Sequence, residues 1–427
     1  MEKQYGVNVF VLDSGERYCH VVNRESGLPL YHPNLYLTTR IRATSASATV
    51  HTAAANLVVL LKFLDAHNIN LERRILSCDF LKEHELDALR DFCQRNFKRS
   101  VAEVASDGWV RSLKRNEVSH KTVVQENSQH SRLTTAALYI KWLSKHLLRD
   151  VSAENAQKID KVENQIKARR PKSRGRNLLR LADRALDDKQ VDILFEVIRI
   201  GSEVNPFAPD LQRRNRVMIL LLFYLGLRSG ELLNTKISDI DPTPSRGYDG
   251  YLTIARRPDE TSDPRVREPN AKTLDRTIPL GATLVKELYD YIRTDRRRVP
   301  NARRHDFLFV THKAGPTVGQ PMSLSSYQKM INALTSAAPP LNGVTGHMLR
   351  HTWNDQYSNR MDIDNEEPSE RDLAIQEQVR SYLMGWKQGS GTAATYNRRF
   401  IEKKARQAAL EMQGKNGTCK PESLNGE

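Results

Sequence analysis

Apolar positions along this chain change their period several times, and the changes divide it. Residues 1–45 run in short apolar and polar pieces such as Val7-Asn8-Val9-Phe10-Val11, punctuated by Gly and Pro, which predicts a β-rich or extended N-terminal arm. From about Thr49 the spacing becomes helical. Ala55, Leu57, Val58, Leu60, Leu61, Phe63 and Leu64 make one apolar face that ends near His67-Asn68. Leu133, Ala136, Leu138, Tyr139, Trp142, Leu143 and Leu147 predict a second helix, so 46–150 reads as an all-helical domain. Residues 151–185 are polar and basic and read as an interdomain linker. A third region, 186–412, opens with a helix over 188–200 and continues into the apolar run 217–227, whose all-round apolarity predicts a buried helix. Short β signals follow at 251–254 and 276–280, then helices over 283–293, 323–337, 349–360, 371–384 and 392–412, leaving a tail at 413–427. The expected fold is mainly α with a small β-sheet, an α+β domain beside an all-helical one.

Charge narrows the partners. Sixty-six Lys and Arg against 51 Asp and Glu leave a net +15 and a pI near 9.6. A chain this basic is expected to meet a polyanion, and nucleic acid is the commonest, although membrane-surface and ribosome-associated proteins are basic too. Lys167, Arg169, Arg170, Lys172, Arg174 and Arg176 crowd into the linker without an acid among them. Such runs are usually solvated; one that joins two domains is expected to lie along a phosphate backbone. The N-terminus has no apolar core typical of an export signal, and the run 217–227 falls short of the ~20 residues that span a bilayer. Cys19, Cys78, Cys93 and Cys419 have no C-x-x-C spacing, which argues against a zinc ribbon or a disulfide framework and for a reducing cytoplasm. No membrane, metal or cofactor is expected.

The chemistry concentrates in three pieces. Leu225-Gly226-Leu227-Arg228-Ser229-Gly230-Glu231-Leu232-Leu233 places an arginine at the end of the apolar run. Gly346-His347-Met348-Leu349-Arg350-His351-Thr352 brings a histidine and a second arginine. Leu383-Met384-Gly385-Trp386 precedes Tyr396 in Thr392-Ala393-Ala394-Thr395-Tyr396-Asn397. Planar guanidinium groups match the paired oxygens of a phosphate and stay charged when partly buried. For an isolated Arg228, a helix-end salt bridge to Glu231 would be the better reading; an arginine closing an apolar run calls for a buried anion. His347 lies three residues before Arg350, on one helical face. His351 extends the pair to His-x-x-x-His, but a zincin helix would carry Glu where Met348 stands.

In this order and with these neighbours, the segments resemble the catalytic boxes of the tyrosine recombinase (phage integrase) family. The resemblance implies a site-specific DNA recombinase with a two-domain, C-shaped clamp around double-stranded DNA, in which 46–150 is the core-binding domain and 186–412 the catalytic domain. Tyr396 would be the nucleophile, with Tyr382 read as a core residue. Arg228 and Arg350 would clamp the scissile phosphate, His347 would assist proton transfer, and Trp386 would stand where the family has His or Trp. Lys272, before the element Arg276-Thr277-Ile278-Pro279-Leu280, would protonate the leaving 5′-oxygen, although its loop is longer than usual and a solvated lysine is the plain alternative. Cleavage would leave a 3′-phosphotyrosine, and rejoining through a Holliday junction would serve integration or excision of a mobile element. The implied assembly is a homotetramer on two synapsed attachment sites, monomeric or dimeric off DNA, with DNA-bending or directionality helpers, in a bacterial nucleoid. Two departures stand out: Trp386 to Tyr396 is one residue longer than common, and an acidic insertion, Asp362-Ile363-Asp364-Asn365-Glu366-Glu367, is expected to loop outward. A type IB topoisomerase would share the chemistry without synapsis; a DNA-binding accessory protein would share the fold without the chemistry.

Overall fold

The computed structural model describes residues 4–97, 123–149, 151–172, 185–243, 249–269, 271, 273–364, 369–387 and the single positions 389, 409 and 412. The chain divides into two compact units, Met1–Arg176 and Asn177–Glu427.

The first unit opens with an antiparallel hairpin, β1 (Tyr5–Val11) and β2 (Arg17–Asn23), in register from Tyr5 opposite Asn23 to Val11 opposite Arg17. Helices α1 (Tyr31–Tyr36), α2 (Ser47–Ala66), α3 (Leu71–Leu76), α4 (Glu83–Phe92), α5 (Glu126–Leu147) and α6 (Ala153–Ala168) follow. The expected N-terminal arm is no separate appendage. Cys19 and Val21 of β2, with Tyr36 and Leu37, are buried in the same core as Leu57, Leu60 and Phe63 of α2 and Leu133, Tyr139 and Leu143 of α5. Helix α2 is apolar enough by length and composition to cross a membrane, yet its Leu57, Leu60 and Phe63 are central to that core.

The expected linker is also corrected. Residues 153–168 form α6, because Ile159, Val162 and Ile166 recur on one face and are buried. The Ser152 side chain caps the helix by accepting from Asn155 N at 3.2 Å. Surrounding charge hides this stripe when the segment is judged by composition.

The second unit holds α7 (Asp188–Val197), α8 (Pro209–Leu225), α9 (Ser229–Asn234), β3 (Ile240–Asp241), β4 (Gly250–Ile254), β5 (Arg276–Leu280), α10 (Ala282–Asp290), α11 (Leu324–Ser336), α12 (Gly346–Asp364) and α13 (Glu370–Met384). A reciprocal capping box starts α7: Asp187 accepts from Gln190 N at 2.8 Å and Gln190 accepts from Asp187 N at 3.1 Å. Helix α8 starts on a proline, which suits a first turn, and ends at Gly226 in the left-handed region, φ +60°. Its residues Val217 to Phe223 are all buried, as the unbroken apolar run requires. The antiparallel sheet has the order β3-β4-β5, with Leu252 opposite Ile240 and Ile278. Leu252, Ile254, Ile278 and Leu280 face the core formed with α8 and α11. Helix α12 continues through Asp364, so the first half of the acidic insertion is helical rather than looped; 365–367 lie outside the described residues.

Candidate active site

The C-terminal ends of α8 and α13, the start of α9, the start of β5 and the first turns of α12 meet around Glu231. Glu231 is the third residue of α9, and its carboxylate accepts from the Arg228 backbone N–H at 2.9 Å, capping that helix. Its side chain is fully buried. Arg276, at the first position of β5, donates to both oxygens, at 3.0 Å and 3.3 Å. Thr273 donates its hydroxyl to Glu231 Oε1. Arg350 Nη1 and Arg228 Nη1 stand at 3.9 Å and 3.7 Å from the same carboxylate. Burial alone would raise the Glu231 carboxyl, but Arg276, Arg350 and Thr273 together outweigh it and hold the group below the usual carboxylate range. One anion thus organises three guanidinium groups.

Arg350 is 1% exposed, and helix ends hold it. It donates to Gly226 O at 2.6 Å and Met384 O at 2.8 Å, two carbonyls that α8 and α13 leave without intrahelical partners. Trp386, buried just beyond α13, places its ring 5.6 Å from the Arg350 guanidinium. Two glycines make the approach possible. At Gly226 a Cβ would stand 2.9 Å from Met384 Cε and 3.2 Å from Trp353; at Gly385, φ +62°, one would stand 2.6 Å from Arg276 Nη1. Leu274 N donates to Gly385 O at 2.9 Å, tying the Leu-Met-Gly-Trp turn to the chain entering β5.

Arg228 differs from Arg350 in keeping about 29% of its side chain exposed, so it can reach an incoming ligand. His347 is exposed in the first turn of α12, its ring 4.6 Å from that of buried His351. Among the described residues no three His, Cys, Asp or Glu side chains gather to hold a metal.

Of the sequence-predicted set, Arg228, Arg350 and Trp386 come together, and His347 opens the helix that carries Arg350. Lys272 and Tyr396 lie outside the described residues, as do Arg174 and Arg176. Tyr382 is not a core residue: it is 57% exposed on α13. The linker cations have partners within the first unit. Lys167 pairs with Glu163 at 2.5 Å, Arg169 with Glu83 and with Asp87 at 2.8 Å, and Arg170 donates to Lys167 O at 2.9 Å. Lys172 is exposed near the end of that unit. Sequence reasoning missed Glu231 as the organising anion and Arg276 as its strongest partner; the visible signal was a lone acid three residues after Arg228.

Residues 184–365 match the model of the phage integrase family. Over 140 residues the chain is 27% identical to the tyrosine recombinase XerD of Halalkalibacterium halodurans, covering 33% of this chain and 39% of that protein. Over 143 residues it is 27% identical to transposase A from transposon Tn554 of Staphylococcus aureus, covering 33% and 35%. The chain therefore spans less than half the length of these relatives. Among solved structures it is similar to the XerH site-specific recombinase in a post-cleavage complex with a palindromic difH substrate, at 14% identity and a TM-score of 0.42, covering 84% of this chain and 97% of that one.

Proposed function

We propose that this chain, whose residues 184–365 match the phage integrase family, is a tyrosine recombinase that breaks and rejoins DNA strands through a 3′-phosphotyrosine intermediate. The observation that supports the reading most is the Glu231-centred cluster. It gathers Arg228, Arg276 and Arg350 around the Glu231 carboxylate at the junction of four helix ends. A phosphodiester is the anion such a cluster suits, since its two non-bridging oxygens match paired N–H donors.

In this reading Tyr396 attacks phosphorus. A phenol with an ordinary pKa near 10 is ionised in about one molecule per thousand at pH 7, so the adjacent cations lower the barrier by stabilising phenolate and phosphorane charge together. Arg228 meets the phosphate from the open side and Arg350 from the buried one. His347 moves the tyrosine's proton, and Lys272 protonates the departing 5′-oxygen. The phosphotyrosyl bond keeps the energy of the broken linkage, so a 5′-hydroxyl from a second strand reseals it without ATP. Mobile-element integration or excision is the biological setting we favour, because a transposon transposase is among the relatives. Double-stranded attachment-site DNA is the partner, and four copies on two synapsed sites in the cytoplasm are the assembly.

The test is a suicide duplex, nicked close to the candidate site, incubated with wild type and Tyr396→Phe in EDTA. A covalent protein–DNA band from wild type alone is the expected result. Tight binding with no band from either protein would replace this reading with that of a non-catalytic DNA-binding protein.

A further inference from the structure

The connection between β4 and β5, residues 255–275, is long for a hairpin turn, as its sequence indicates. The structure folds it down. Asp263 and Arg265 within it are 3% and 8% exposed. Arg265 donates to Asp263 Oδ1 and Oδ2 at 2.8 Å and 2.9 Å, to the carbonyls of Leu233 and Met322 at 3.0 Å each, and to Asn234 Oδ1 at 3.2 Å. Its guanidinium also lies 4.7 Å from the centre of the Phe307 ring. Leu233 and Asn234 end α9, the helix that carries Glu231. Two more pairs hold the flanks: Arg257 with Asp239 and Lys236 with Glu260. A buried ion pair adds little net stability over an apolar replacement of the same shape, so fixing one geometry is the better account of this one.

The connection then meets the arginine cluster. Thr273, 3% exposed, donates to Glu231 Oε1 and accepts from Arg276 Nη1 at 3.2 Å. Ala271, two residues earlier, is 6% exposed. In the sequence Lys272 lies between these two buried residues.

We propose that Thr273 and Arg265 are positioning residues for general-acid catalysis: they tie the β4–β5 connection to Glu231 and to the end of α9, and Thr273 is the chain neighbour of Lys272, the acid assigned above. The proposal rests on the phosphotyrosine reading above. In the step concerned, the Tyr396 oxygen bonds to phosphorus as the bond from phosphorus to the 5′-oxygen breaks. A proton from the Lys272 ammonium passes to that oxygen, giving a 5′-hydroxyl and a neutral amine. If sulfur replaces the bridging 5′-oxygen, the group departs as a thiolate and needs no proton, because a thiol is far more acidic than an alcohol. The position of the acid then ceases to matter.

The experiment measures covalent-complex formation by the full chain on two suicide duplexes that differ only in the bridging atom, oxygen or sulfur. Lys272→Ala and Thr273→Val are expected to slow cleavage of the oxygen substrate by about 10²-fold, the scale set by a misplaced or missing acid, and to act on the sulfur substrate at close to the wild-type rate. Thr273→Ser, which keeps the hydroxyl, should match wild type on both. Arg265→Met should follow Thr273→Val; the near-isosteric threonine variant carries the test if the arginine variant does not fold. Thr273→Val equally slow on both substrates, or slow on neither, overturns the positioning role. Lys272→Ala slow on both removes Lys272 as the acid and the proposal with it, while leaving the phosphotyrosine reading intact. No covalent product from wild type on either duplex overturns that reading itself.

Discussion

Replacing Glu231 by glutamine is the sharpest single test of how the cluster is held. The change keeps the side chain's size but only one accepting oxygen, so either the hydrogen bond from Thr273, made to Oε1, or that from the Arg228 backbone, made to Oε2, can survive as donated. What disappears is the negative charge. Arg276 and Arg350, each 1% exposed, are left facing a neutral amide. Removing one partner from a buried ion pair costs about 3–5 kcal/mol, whereas an exposed pair would cost about 0–1 kcal/mol. In a unit of this size each kcal/mol lowers the melting temperature by about 2–4 °C, so a fall of roughly 6–20 °C is expected. Trp353 and Trp386 flank the cluster and report the transition by fluorescence. The pH dependence follows from the sign of the shift. The Glu231 carboxyl is held below its unfolded value, so its stabilisation is complete above about pH 4.3 and is lost only as pH falls toward the lower folded-state value. The gap between wild type and Glu231→Gln should therefore be level from pH 5 to pH 8 and close under more acidic conditions. A melting shift of less than about 2 °C, below what 1 kcal/mol produces, would refute the carboxylate as the cluster's counter-charge.

Two further outcomes follow from the geometry. Gly385→Ala puts a methyl 2.6 Å from Arg276 Nη1 and 2.8 Å from Thr273 Cβ, at φ +62°; left-handed strain alone costs about 1–2 kcal/mol, so covalent-complex yield and melting temperature should both drop, and an unchanged melt would show that the turn can move aside. The double change Lys167→Ala and Arg169→Ala should leave the slope of log affinity against log salt unaltered, because both cations already have acidic partners; a slope shallower by about two would show that they release those partners to neutralise phosphate.

The parts of the molecule that a period can encode were legible. The helices at 47–66, 188–197, 324–336 and 370–384 and the strands at 250–254 and 276–280 lie where the apolar spacing placed them. Helix α6 was hidden because only three aliphatic residues carry its buried face, and the acids and bases around them dominate any average over the segment. The second hidden feature was pairing across distance. Glu231 meets Arg276 45 residues on, and Arg350 reaches the carbonyl of Gly226 across 124 residues. No local pattern specifies such contacts; the packing of α8, α12 and α13 does. The same limit explains Tyr382, which was read as a core residue although it faces outward from α13.

The two helix ends that grip Arg350 also help to keep it charged. Each helix carries about half a negative charge at its C-terminus, and both α8 and α13 end on carbonyls bonded to Arg350. Together these ends offset about one guanidinium, so peptide dipoles stand in for the water that a 1% exposed side chain has lost.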